Sequence, residues 1–249
     1  MAFIADHHLA RPTSHDASSA GELVAARAGC SLAAIKASVA EHAGALPAEL
    51  ADDLRHCLWE DVASEYDARF LGDWLAGVGF ELSAGFRAAV QTWEFDELGH
   101  HFCSRTAWIA AFGRERVLDL RLAARRPDFA PLAAFFEDEF TILCLLAYDE
   151  LATVRAYRAN LPFYEPLGRP FLALMHRIMA DEARHYASFL SLARSEHPER
   201  AADAGRVISS LRAAGVPYAS TFVLDHDDPV FTSDLLDETA RILRAHLAR

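Results

Sequence analysis

Residues 171–192 read FLALMHRIMADEARHYASFLSL. Phe171, Leu174, Ile178, Phe189 and Leu192 recur at helical spacing and define one apolar face. Glu182 and His185 fall on the same face, in its middle. A carboxylate and an imidazole on a core-facing stripe cost several kcal/mol unless something pairs them. On a helix, residues three apart differ by about 60° and rise about 4.5 Å, so a Glu-x-x-His pair can reach one metal ion together.

The pattern recurs upstream. Phe86, Val90, Trp93, Ala107 and Ala111 form a second stripe, interrupted by Glu97 and His100. One Glu-x-x-His is common in acidic helical chains; two, each in the middle of an apolar stripe, are specific. Two further stripes carry one carboxylate each. Glu150 lies on the line Leu143, Leu146, Thr153, Tyr157, and Glu60 on the line Leu50, Cys57, Ala63, Phe70, Trp74, with Glu65 and Glu94 as nearby alternatives. Two single carboxylates and two Glu-x-x-His pairs on four long helices are the ligand set of ferritin-like dimetal bundles. Oxygen and nitrogen ligands of this kind suit two iron ions, with manganese possible. Four negative charges would offset two divalent cations.

The rest of the 249-residue chain fits that reading. Gly and Pro cluster at a few points, and between them lie long stretches rich in Ala, Leu, Arg and Glu. Helices are predicted over 20–44, 48–76, 80–112, 114–125, 130–160 and from 170 to about 195, with shorter ones over 199–214 and 233–248. The segment 215–231 has room for one short strand or none. Residues 1–18 are expected to be a flexible tail, and 19–249 one all-α domain. That domain is a ferritin-like four-helix bundle, its core at about 48–195, with flanking helices.

Charge and cysteine usage exclude other classes. A net charge of −12 argues against non-specific nucleic-acid or anionic-membrane binding. No apolar run is long enough for a transmembrane helix. The N-terminus lacks a basic start followed by a long apolar stretch. The four scattered cysteines read as reduced thiols, so the expected compartment is the cytoplasm.

The run IMADEARHYASF resembles the second iron-binding motif of the soluble acyl-carrier-protein desaturases, here Asp181, Glu182, Arg184 and His185. WEFDELGHH resembles their first motif, with Asp96, Glu97 and His100, and YDELATV resembles the segment where a Glu is followed three residues later by Thr, here Glu150 and Thr153. Separations of 37, 85 and 32 residues for Glu60–Glu97, Glu97–Glu182 and Glu150–Glu182 are similar as well. The resemblance covers about residues 48–195. It departs at Gly99, where the family has Arg, in a reduced C-terminal part, and at Ile178, which replaces the extra His of related N-oxygenases.

The resemblance implies an oxygen-activating di-iron oxidase. Its metal ligands would be Glu60, Glu97, His100, Glu150, Glu182 and His185, with Thr153 in a catalytic role beside the oxygen-binding face. It implies desaturation of an acyl chain, possibly on an acyl carrier protein and hence fatty acid metabolism, a ferredoxin-type electron donor, and a homodimer. The apolar side of 20–44 (Leu23, Val24, Leu32, Ile35, Val39) would be its dimer surface. Hydroxylation or N-oxidation of a smaller metabolite needs the same core, and iron storage or a metal-free scaffold are the rival classes. Asp96 and Asp181 can accept the second N–H of a ligating imidazole. His101 is read as pointing off the site, and Thr153 either back-bonds along its helix or serves the site. The basic stretch 114–126 offers either a docking face for an acidic partner or a solvated surface.

Overall fold

A computed structural model describes residues 14–214, 223–224 and 229–248. Among them every regular element is helical: α1 Ser14–Arg27, α2 Leu32–Ala43, α3 Ala48–Leu75, α4 Ala84–Phe112, α5 Glu115–Ala124, α6 Glu139–Tyr164, α7 Arg169–Glu196, α8 Ala204–Ala213 and α9 Ser233–Leu247, with short 3-10 helices at Ala130–Phe135, Glu165–Leu167 and Pro198–Asp203. The all-α expectation holds. The possible strand of 215–231 falls largely outside the described residues.

Helices α3, α4, α6 and α7 form a four-membered bundle. Two hairpins, α3–α4 and α6–α7, face each other. Tyr157 reaches Glu65 and Tyr164 reaches Asp61, so α6 runs antiparallel to α3. His100 faces Asp181 and His185 faces Asp96, so α7 runs antiparallel to α4. Helices α4 and α6 then run parallel on opposite corners. Their connection must travel the length of the bundle, and α5 with the following 3-10 helix supplies that crossover.

Several helix boundaries differ from expectation, three of them for identifiable reasons. The predicted helix 20–44 is two helices meeting at 78°. Gly29 takes φ +73°, a left-handed turn that only glycine enters cheaply, and Ser31 then caps α2 by accepting from Ala34 N at 3.2 Å. The helix also starts at Ser14, so residues 14–18 of the expected tail are helical; the earlier residues lie outside the described ones. The predicted helix 130–160 begins at Glu139, where Asp138 caps it by accepting from Thr141 N at 2.8 Å. It runs through Pro162 to Tyr164, because the Tyr164 hydroxyl is anchored on Asp61 at 2.8 Å.

Helix α1 lies directly on α4. A Cβ at Gly99 would sit 2.7 Å from Val24 Cγ2 and 3.0 Å from the Ala20 carbonyl, so no side chain fits there. The departure from the desaturase pattern at this position is the footprint of α1. Val24, Leu32, Ile35 and Val39, on which the dimer expectation rests, are buried within the chain; only Leu23 of that set is exposed. Among the described residues no single helix is long and apolar enough to cross a membrane.

Candidate metal centre

The four bundle helices bring six ligand-type side chains into two overlapping groups. Glu65, Glu97, His100 and Glu182 form one; Glu97, Glu150, Glu182 and His185 form the other. Within each, the ligand atoms lie within 4.8 Å of one another. Glu97 and Glu182 belong to both. Glu182 turns Oε1 toward His100 Nδ1 at 3.1 Å and Oε2 toward His185 Nδ1 at 3.0 Å, the disposition of a bridging carboxylate. Glu97 Oε1 faces His185 Nδ1 at 3.3 Å and His100 Nδ1 at 3.8 Å.

Five of the six predicted ligands are therefore brought together, and Glu60 is not. Its side chain is 38% exposed and lies 3.9 Å from His56. Glu65 occupies the position instead, with Oε2 3.6 Å from His100 Nδ1. The two glutamates are five residues apart, about 140° around the helix. The buried face of α3 runs through Leu54, Leu58, Asp61, Glu65, Ala68 and Leu75. The sequence held a signal for this: Glu65 precedes Glu97 by 32 residues, the same interval as from Glu150 to Glu182. Glu94 belongs to neither group; burial and then Asp73 raise its carboxyl to about 7.

Each part of the centre is held from outside. His185 Nε2 lies 3.3 Å from Asp96, and His100 Nε2 lies 3.6 Å from Asp181. The aspartate preceding each shared glutamate thus faces the imidazole of the opposite helix, Asp96 within hydrogen-bond distance and Asp181 outside it. Asp96 is tied to Arg27 at 3.0 Å and Arg184 at 2.6 Å; Asp181 is tied to Arg177 and Arg184. Burial would raise both carboxyls, but the facing imidazoles, His185 for Asp96 and His100 for Asp181, and then the arginines hold them below the usual range. Nδ1 of each ring is the atom turned toward the glutamates; His185 Nε2 is engaged by Asp96, whereas His100 Nε2 makes no hydrogen bond.

The two outer glutamates are each tethered through one oxygen. Trp93 Nε1–H donates to Glu150 Oε1 at 2.6 Å, and the Tyr157 hydroxyl donates to Glu65 Oε1 at 2.6 Å. The other oxygens are left facing inward. His101 turns away, Nδ1 3.0 Å from the Val62 carbonyl, and burial lowers its pKa to about 4.

The residues fit a metal centre. Glu65 Oε2, Glu97 Oε1, Glu150 Oε2, Glu182 Oε1 and His100 Nδ1 are all buried and make no hydrogen bond; the 3.1 Å approach of His100 Nδ1 to Glu182 is misaligned for one. A buried polar atom left so costs about 1–3 kcal/mol. Gathered in two overlapping ligand groups, these five are explained by ions between them. The electrostatics agree. Burial, then Glu182 and Glu65, push the Glu97 carboxyl well above the usual range; burial and Glu182 do the same to Glu150. Burial would lower both imidazoles, yet the surrounding carboxylates raise them strongly, and the imidazoles in turn hold Glu182 low against its own burial.

A cavity of about 110 Å³ opens on the carboxylate side, away from the imidazoles. Thr153 lines it, together with Glu60, Asp61, Asp149, Trp93 and Phe231. The hydroxyls of Thr92, Thr106 and Thr239 donate back to a carbonyl one turn earlier; that of Thr153 makes no such bond among the described residues.

Fold and site together define a helical bundle with a buried centre able to hold metal through four glutamates and two histidines. Compared with known proteins, the chain matches no family, no curated protein and no solved structure.

Proposed function

We propose that the protein is an oxygen-activating di-iron oxidase acting on an organic substrate. The observation that carries this is the pair of overlapping ligand groups sharing Glu97 and Glu182, with their buried unpaired atoms aimed at two common points. Two iron ions held there would supply the activation of O₂ and the oxidation of a substrate C–H or N–H bond; manganese suits the same ligands. The chain's own contribution is positioning. Asp96 lies within hydrogen-bond distance of His185 Nε2 and Asp181 sets a negative charge 3.6 Å from His100 Nε2, both on the side of the ring away from the glutamates. Trp93 and Tyr157 restrain Glu150 and Glu65 to one inward oxygen each.

Thr153 supports an oxidase over a storage site. Thr153 lines the cavity three residues from Glu150, where a hydroxyl adds nothing to metal affinity but can hold a proton beside a bound substrate. A desaturase-like reaction on an acyl chain, as the sequence resemblance implies, calls for an apolar channel. The small acidic cavity favours the second reading, hydroxylation or N-oxidation of a smaller metabolite.

The test is Thr153→Val, near in volume and lacking only the hydroxyl. Metal content should stay at the parent value while substrate oxidation per O₂ consumed falls by about one to two orders of magnitude, the worth of one charge-assisted hydrogen bond acting in the transition state. Unchanged coupling would withdraw the role of Thr153.

A further inference from the structure

We propose that a groove between α6, α7 and α9 binds a small organic monocarboxylate with an apolar body. The site is separate from the metal centre: no residue of either ligand group, or of the cavity beside them, lines it. Its volume is about 610 Å³, within the roughly 300–1,000 Å³ of pockets that take small organic molecules. It lies where the second half of α7 meets the 3-10 helix Pro198–Asp203, the start of α6 and the end of α9. The floor is apolar and buried, made by Phe140, Leu190, Ala193 and Leu247. It receives the body of the ligand.

The rim sets the charge. Ser191, Arg194 and Ser195 line the groove, and spacings of three and four residues put them on one side of α7. Among the described residues the Arg194 guanidinium and the two hydroxyls make no hydrogen bond or ion pair. The hydroxyls of Ser188 and Ser209, by contrast, donate to a carbonyl one turn back. The acids closest in sequence are engaged elsewhere. Glu139 accepts from Ser83 N at 2.5 Å and faces His197 Nε2 at 3.2 Å, Asp138 holds Arg200 at 2.9 Å, and Glu196 rests against Gly85 of α4. Among the described residues no aspartate or glutamate lines the groove. An arginine fork donates to both oxygens of a carboxylate at once, and hydroxyls can add to it. A phosphate carries more than one charge and would need a second cation. Arg200 is not available for that, since it lies over the Phe140 ring and pairs with Asp138 and Asp203. An ammonium would meet the like charge of Arg194, and a neutral molecule would leave that charge unanswered.

The experiment uses the full chain, once freed of metal and once incubated with Mn²⁺. Hexanoate, hexanol, hexylammonium and acetate are titrated into each by calorimetry. Hexanoate is expected to bind both forms alike and about fivefold more tightly than hexanol, the upper end for one partly exposed ion pair. Hexylammonium, repelled by Arg194, and acetate, with no apolar body, should not saturate. Arg194→Gln should weaken hexanoate about fivefold and leave hexanol unchanged. Ala201→Phe, on the exposed wall, should fill the groove and abolish hexanoate binding. Both variants should keep the metal content of the parent. Failure of hexanoate to bind the metal-free chain overturns the proposal. So does equal affinity for hexanol or hexylammonium, since the groove would then be apolar surface only. Hexanoate binding that Arg194→Gln leaves unchanged, or that Mn²⁺ abolishes, also overturns it, because the carboxylate would then sit elsewhere in the chain.

Discussion

Replacing Glu65 and Glu60 in turn by Gln separates the two candidate ligands on α3. Gln keeps volume and an oxygen that can accept from the Tyr157 hydroxyl, so the metal-free fold is preserved in both variants. A ligand that binds only the folded chain stabilises it by about 2.7 kcal/mol per site at a concentration 100 times its Kd. Two sites then contribute about 5.4 kcal/mol, which for a chain of this size raises Tm by roughly 11–22 °C. Losing the Glu65 carboxylate should weaken its site by about a hundredfold, at least the upper end of what removing an outer-sphere partner does, and leave that site about 0.4 kcal/mol. The metal-induced rise in Tm should fall to roughly 6–12 °C. Glu60, partly exposed and outside both ligand groups, should leave the full rise in place. Calorimetric melting with and without Mn²⁺, paired with metal content by mass spectrometry, reads both. Should Glu60→Gln lose the metal-induced shift while Glu65→Gln keeps it, the assignment of α3 is wrong.

Two further outcomes are expected. Asp181→Asn leaves all six ligands in place but removes the charge facing His100 Nε2, and should weaken metal binding about 10–100-fold in a Mn²⁺ titration; unchanged affinity would show that the imidazole orients itself. Glu94 has a raised carboxyl pKa of about 7, so its share of stability is complete below the ordinary glutamate range and is lost as pH rises through about 7. For a fully buried group the cost at high pH would be about 3 kcal/mol; partial exposure reduces it to about 1. Glu94→Gln should therefore melt about 2–4 °C above the parent at pH 8.5, with the gap closing toward pH 4; a gap independent of pH would exclude ionisation as its cause.

The centre was readable where the chain violates its own pattern. Glu97, His100, Glu182 and His185 interrupt apolar stripes on long helices, and burying them without partners makes no physical sense. Hydropathy does not separate Glu60 from Glu65, because α3 carries acids on several sides: Asp61, Glu65 and Asp67 are buried, so the helix phase stays open. The 32-residue interval shared by both hairpins fixes it. The break at Gly29 and the continuation through Pro162 were hidden for opposite reasons. One glycine permits a bend without demanding it, and the Pro162 turn is held by a hydroxyl–carboxylate contact about 100 residues distant in sequence, from Tyr164 to Asp61.

The exchange of aspartates between α4 and α7 also bears on the order of assembly during synthesis. The α3–α4 hairpin alone carries Glu65, Glu97 and His100 but lacks the aspartate that steadies its imidazole, and α6–α7 alone lacks Asp96. Neither half is a finished chelator. As the chain grows from its N-terminus, the early hairpin must wait until residue 182 and its neighbours have emerged and docked. Under the proposed function, metal capture would thereby wait until the two hairpins have docked, and a chain truncated before α7 would present carboxylates without a shaped pocket.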